Sequence, residues 1–165
     1  MPIDGSEAFA LFWKNNSGPV FRALLVGIQN RAGAEDAAAE AFARAFEHWE
    51  VVAAHPNPRA WLMRTAWNYY KSSWRSWEGR RAPELVEPTP TPEPWVDVDV
   101  VRAIAKLPAG QREVIALRAF VDLTPTEIAD VLGQAVGTVR SQLSRARVAL
   151  REALGDTTNP EGRDA

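Results

Sequence analysis

The sequence predicts an all-α protein, two small helical modules joined by a flexible proline-rich segment. Apolar residues recur at helical spacing along Ala34–Val51 and Arg59–Trp77. Five prolines crowd between Pro83 and Pro94, dividing the chain. Leu123–Arg151 reads as two helices joined by a tight turn, the second of them basic.

A length of 165 residues fits one or two small domains. The formal net charge is −2, so bulk charge does not mark a nucleic-acid binder. Its distribution is more telling. Glu84, Glu87, Glu93 and Asp97 make the middle acidic, while basic residues gather at 64–81 and 140–151. There is no cysteine, which excludes thiolate chemistry and a disulfide framework and suits a cytoplasmic protein. No apolar run is long enough to span a bilayer and no signal pattern opens the chain, so membrane insertion is not expected. His48 and His55 are the only histidines, which excludes histidine-rich metal sites.

Ser6–Lys14 predicts a short helix with Phe9, Phe12 and Trp13 as its apolar contacts. Asn15-Asn16-Ser17-Gly18-Pro19 should break it, Val20–Gln29 should resume helix, and Arg31-Ala32-Gly33 should turn. Ala34–Val51 is the next predicted helix, with Ala38, Phe42, Phe46 and Trp49 as its buried stripe. Asp36, Glu40 and Glu47 fall together on another face, either ordinary solvated surface or a dock for a basic partner. His55-Pro56-Asn57-Pro58 is a rigid loop, because two prolines fix their own backbone and bias the residues before them.

The helix predicted from Arg59 to about Trp77 holds four of the seven tryptophans. Leu62, Ala66, Tyr69 and Trp77 share one side. Arg64, Asn68, Lys71 and Arg75 form a stripe on another, bordered by Trp67 and Trp74. Cations beside flat aromatics suit single-stranded nucleic acid: the cations neutralise phosphates, and rings stack on unpaired bases at about 1–3 kcal/mol per base. The same residues also fit a plain description, tryptophans in a core and arginines solubilising a surface. This helix alone does not choose between them.

Pro83–Asp97 is expected to be a semi-extended linker. Val98–Leu107 predicts a helix, Pro108-Ala109-Gly110 a turn, and Gln111–Val121 a helix with Val114, Leu117 and Val121 inward. Thr124 is a good N-cap, Pro125 suits the first helical position, and Glu127 completes a capping box. Ile128, Val131 and Leu132 recur at helical spacing, and Gly133 is placed to end that helix in the left-handed conformation. Beyond the turn, Val139, Leu143, Ala146 and Leu150 line the inner face of a second helix. Thr138, Ser141, Ser144 and Arg145 point outward, flanked by Arg140 and Arg147. From Arg140 to Arg151 there are four arginines and no acid. This is the helix-turn-helix pattern, whose second helix reaches base edges in a major groove. Against it, Ala135 stands where the N-cap should be, a weakness of about 1 kcal/mol relative to serine. Gly155 onward is expected to be a disordered polar tail.

These residues resemble a known family. Leu107-Pro108, Gln111-Arg112-Glu113-Val114, Leu117-Arg118 and the run from Leu123 to Leu154 are similar to region 4 of the extracytoplasmic-function sigma factors of bacterial RNA polymerase. Ala34-Glu35-Asp36, Glu40-Ala41-Phe42, Arg59-Ala60-Trp61-Leu62 and Asn68 resemble their region 2. The implied domains are a region 2-like bundle at 6–82, a linker at 83–97, a region 4-like helix-turn-helix domain at 98–155 and a tail at 156–165.

The resemblance implies a promoter-recognition subunit rather than an enzyme, with core RNA polymerase, promoter DNA and an anti-sigma factor as partners, and with no cofactor, metal or small-molecule substrate. It implies that Asp36 and Glu40, with Phe42 beside them, meet the polymerase clamp, and that Leu107 and Val114 help dock its flap. It implies that Asn57, Arg64, Asn68, Lys71, Trp74 and Arg75 capture unpaired bases of the minus-ten element. Thr138, Arg140, Ser141, Gln142, Arg145 and Arg147 would read the minus-thirty-five element as duplex. The chain departs from the family pattern with Ala37, Ala38 and Ala39 before the docking glutamate, and with Trp67 where smaller residues are usual. The competing expectation is a helix-turn-helix regulator acting without polymerase docking; a third is a helical protein that binds only another protein. No nucleophile–base pair, phosphate loop or metal spacing points to catalysis.

Overall fold

The computed structural model describes residues 4–73 and 97–155, and the regular elements among them are all α-helices. The expected linker, the expected tail, and Trp74, Arg75 and Trp77 of the tryptophan-rich helix lie outside the described residues.

Helix α1 (Gly5–Ile28) runs unbroken through Asn15–Pro19, correcting the expected break. Pro19 removes one backbone donor and normally costs about 3 kcal/mol inside a helix. Burial on both sides of it outweighs that loss. Val20, Ala23 and Leu24 are fully buried, and Asn16, only 6% exposed, is satisfied by donating to the Phe12 carbonyl (2.7 Å) and accepting from Arg59 Nε. Trp13, expected as a contact, is half exposed.

Helix α2 (Arg31–Glu47) starts where a turn was expected, because the Asn30 side chain caps it by accepting from the Gly33 amide (2.9 Å). Its buried stripe is also rotated from expectation. Ala34, Ala37, Ala41 and Ala45 are fully buried, with Phe42 nearly so, whereas Phe46 is 58% exposed. Small side chains at this spacing let α1 and the tryptophan-rich helix approach α2 closely. The helix stops at His48, and the short α3 (Trp49–Ala54) follows, so the expected single helix to Val51 is two. Phe9, Phe12, Phe42, Phe46 and Trp49 form an aromatic cluster over this junction, with ring centroids 5.1–6.5 Å apart.

Helix α4 (Pro58–Ser73) begins on a cap of its own: Asn57 Oδ1 accepts from the amides of Arg59 (3.1 Å) and Ala60 (3.4 Å). Leu62, Met63, Ala66 and Trp67 are buried. Helix α5 (Val98–Ala105) is capped by Asp97, and α6 (Ala109–Val121) ends at Asp122 in the left-handed conformation. Helix α7 (Pro125–Leu132) has the expected punctuation, Thr124 as N-cap, Pro125 in the first turn and Gly133 at φ 65°. The capping box is partial. Thr124 Oγ1 accepts from the Glu127 amide (3.2 Å), but the Glu127 carboxylate accepts from the Thr124 hydroxyl (2.9 Å). Helix α8 (Val136–Gly155) follows the turn.

The two halves do not stand apart. Helix α6 lies along α1, and α7 lies on α4, so one apolar core runs through both. Polar contacts rim this seam: Gln29 Nε2 donates to the Ala105 carbonyl (2.6 Å), and Arg112 donates to the carbonyls of Gly27 and Leu107 (both 3.2 Å).

Candidate nucleic-acid interface

Two faces carry the residues expected to meet nucleic acid. The first is the outside of α8. Val139, Leu143 and Ala146 are buried against the helices beneath, which fixes the rotation of α8. That rotation turns Thr138, Arg140, Ser141, Ser144, Arg145 and Arg147 outward, all exposed. Gln142 is half-buried and lies against α6, close enough that a Cβ on Gly110 would sit 2.9 Å from its amide nitrogen. The outward set combines small polar side chains with cations on one helix preceded by a tight turn. Such a surface can enter a major groove without a bulky side chain blocking the approach.

The second face is the stripe on α4 with the loop before it. Arg64 and Asn68 are exposed, Asn57 and Lys71 half-buried. This stripe meets α7. Asn57 Nδ2 donates to the Glu127 carboxylate, Arg64 lies 3.4 Å from the Asp130 carboxylate, and Lys71 Nζ donates to the Leu132 carbonyl (2.9 Å). Sequence reasoning missed the partners Glu127, Asp130 and Leu132. The acidity of Glu127 and Asp130 was visible, but nothing local tells which basic surface an exposed acid, or the Leu132 carbonyl at a helix end, will meet. The capping role of Asn57 was missed too, although asparagine just before the proline that opens a helix is a signal for it.

Trp67 does not border the stripe as expected; it is 2% exposed and seated in the core against Gly27. The plain description therefore holds for this tryptophan. The stripe itself remains cationic and at the surface. Beside it, a polar crevice of about 380 Å³ opens between the halves, lined in part by Tyr70, Lys71, Arg112, Glu113 and Gln134. Burial pushes the Arg112 guanidinium pKa down.

The acidic face of α2 is tied into its own surroundings. Asp36 accepts from the Tyr69 hydroxyl (2.9 Å), and Glu40 pairs with Arg44 (2.9 Å), whose guanidinium lies over the Tyr69 ring. The hydrogen bond to Asp36, helped by desolvation and the nearby carboxylates, raises the Tyr69 pKa above its ordinary value. Phe42 and Leu107 are 8% exposed and Val114 fully buried, so none of them offers a docking surface in this arrangement. Among the described residues no cluster of three His, Asp or Glu side chains could hold a metal ion, and no helix is long and apolar enough to cross a membrane.

Comparison with known proteins matches both halves. The family model for sigma-70 region 2 matches residues 14–81, and that for sigma-70 region 4 matches residues 97–150. The chain is 35% identical over 133 residues to the ECF RNA polymerase sigma factor SigL of Mycobacterium tuberculosis, covering 74% of this chain and 75% of that one. It is 30% identical over 152 residues to the probable RNA polymerase sigma-C factor of Mycobacterium bovis, covering 87% and 82%. It is similar in fold to the sigma factor RpoE crystallised with the anti-sigma factor NepR from Bartonella quintana, at TM-score 0.74 and 24% identity over 92% of this chain and 99% of that one. It is also similar to CnrH in complex with the cytosolic domain of CnrY, at TM-score 0.59 and 26% identity over 93% and 91%.

Proposed function

The chain belongs to the sigma-70 family as an RNA polymerase sigma factor of the extracytoplasmic-function type, and from this premise we propose how its residues divide the work. Residues 6–82 act as the region 2 domain and 98–155 as the region 4 domain, with 83–97 as tether and 156–165 as tail. The outer face of α8 reads the upstream, minus-thirty-five element as duplex. Thr138, Arg140, Ser141 and Arg145 face the bases, Arg147 adds charge for the phosphates, and Gln142 supports from the α6 side. The stripe of Asn57, Arg64, Asn68 and Lys71, continued in sequence by Trp74 and Arg75, holds the parted minus-ten strand. Asp36 and Glu40 meet a basic surface of the polymerase over the buried Phe42. Leu107 and Val114, both buried here, join the docking at the polymerase flap only when the packing around them opens.

The protein itself catalyses nothing; its product is a correctly placed polymerase. It works in the cytoplasm, where polymerase and promoters are. An anti-sigma factor is its expected antagonist, as NepR is named with RpoE in the relative of known structure. The reading as a regulator without polymerase docking is not favoured, because both the region 2 and the region 4 models match, in that order.

The observation that carries this assignment is the α8 surface: a one-signed, small-residue face set outward by the burial of Val139, Leu143 and Ala146. The test is reconstitution with core polymerase and promoter fragments selected from genomic DNA. Open complexes should form on a subset of fragments only when the protein is present. No gain in open complexes on any fragment overturns the assignment.

A further inference from the structure

The crevice of about 380 Å³ between the halves is lined by two cations, Lys71 and Arg112, and the chain gives neither a carboxylate partner. Lys71 Nζ donates to the Leu132 carbonyl (2.9 Å). Arg112 donates through Nε to the Gly27 carbonyl and through Nη1 to that of Leu107, both at 3.2 Å. Its Nη2 has no partner among the described residues. Among the same residues no ion pair reaches either cation. Burial works against the Arg112 charge, and a cation drawn away from water is ordinarily paired.

Gln134, on the turn between α7 and α8, lines the same space. Its Oε1 is closed off from water and accepts no hydrogen bond, and its Nε2 donates to nothing among the described residues. A side chain with an orphaned buried atom calls for an explanation. Packing within the chain supplies none, since this amide bonds to no part of it.

We propose that the crevice is a binding site for a phosphate group, carried by inorganic phosphate or by a phosphomonoester. Lys71, Arg112 and Gln134 come from α4, α6 and the turn before α8, so their N–H groups reach the crevice from three separate elements. Donors arranged in that way suit a tetrahedral oxyanion better than a flat carboxylate. Two cations beside Glu113 leave one net positive charge, which matches a singly charged anion. Arg112 Nη2 and Lys71 Nζ give charge-assisted bonds, about twice as strong as neutral ones, and Gln134 Nε2 gives a neutral one. Tyr70 and Trp67 form part of the wall and offer ring surface to an organic group beyond the phosphate. A ligand held from three elements also stabilises the folded chain, because it binds only where they meet.

The full-length protein, labelled with nitrogen-15, is titrated with sodium phosphate, with AMP and with adenosine. Sodium chloride keeps the ionic strength constant, so screening is the same throughout. Phosphate and AMP should shift the Gln134 side-chain amide and the Trp67 indole signals saturably, with half-saturation at about 1 mM or below. Adenosine should not. AMP binding no tighter than phosphate assigns the free ion as ligand, and tighter binding assigns a phosphomonoester. No saturable shift at these two signals, or adenosine binding as well as AMP, overturns the proposal.

Two variants locate the site. Arg112→Gln should weaken phosphate binding about tenfold or more, as expected for a bond from a charged donor. Gln134→Met keeps the length of the side chain and removes an amide that bonds nothing in the protein, so it should fold normally and bind phosphate several-fold more weakly. It carries the test if Arg112→Gln fails to fold, with the Trp67 indole as reporter. Unchanged affinity in Gln134→Met overturns the site. Arg102→Gln removes an exposed cation of α5 that does not line the crevice. A loss there as large as in Arg112→Gln would show diffuse anion binding at the surface and overturn the proposal as well.

Discussion

Gly27 of α1 presses on the indole of Trp67 of α4 so closely that a Cβ at 27 would lie 2.7 Å from Cη2 of the ring. The same Cβ would stand 3.8 Å from Ala116 of α6, so this contact is where the two halves share their core. The bare backbone of Gly27 makes room for the ring.

Gly27→Ala should therefore destabilise the protein. The ring is buried on every side and cannot swing away, and overpacking of this kind costs about 1–3 kcal/mol, partly offset by about 1 kcal/mol of helix propensity. Trp67→Ala should cost more, about 3–5 kcal/mol. Urea unfolding checks both, and an unchanged midpoint in Trp67→Ala would contradict this account of the core.

Asn16 is the polar exception in the α1 core, 6% exposed and bonded both to its own helix and to Arg59. Asn16→Leu should lose about 1–3 kcal/mol, because the half-buried Arg59 is left without that acceptor. Asn16→Leu with Arg59→Leu should recover part of the loss. A double variant whose loss equals or exceeds the sum of the single losses would show that the pair is not coupled in this way.

The arginines of α8 should behave as groove and phosphate contacts. Arg145→Ala should weaken duplex promoter binding by about 1–3 kcal/mol, and Arg147→Ala should lower the salt slope of binding by about 1. Neither should change single-strand affinity. Titrations across salt concentrations measure both, and equal losses on single and double strands would contradict the assignment of α8.

The Tyr69 phenol titrates above its ordinary value of 10.0 because it donates to Asp36. Its neutral form favours the folded state, so the contribution to stability is whole below that ordinary value and fades as pH rises through the raised one. With Tyr70→Phe leaving one tyrosine of two, tyrosinate absorbance follows Tyr69 alone. Asp36→Asn should shift that titration downward; an unmoved curve would discount the hydrogen bond as its cause.

Helix α8 starts after Ala135, whose carbonyl accepts from Val139 (3.1 Å) although its side chain can cap nothing. Ala135→Ser should stabilise the chain by up to about 1 kcal/mol, while Thr124→Ala should cost about 1 kcal/mol at the start of α7. Thermal unfolding should move in opposite directions for the two variants.

The sequence by itself determined what lies within a helical turn or two of each residue. Thr124, Pro125 and Gly133 punctuate α7, and Val139, Leu143 and Ala146 mark the inner side of α8, because caps and periodicity act between neighbours. It also announced the family through the motifs on α6 to α8. Tertiary structure decided what depends on distant partners. Burial on both flanks carried α1 through Pro19. Close approach of α1 and α4 selected the alanine stripe of α2 over Phe46. The meeting of α7 with α4 gave Arg64 and Lys71 partners more than fifty positions away in the chain. Such outcomes turn on the fit of whole surfaces, which no window of neighbouring residues contains.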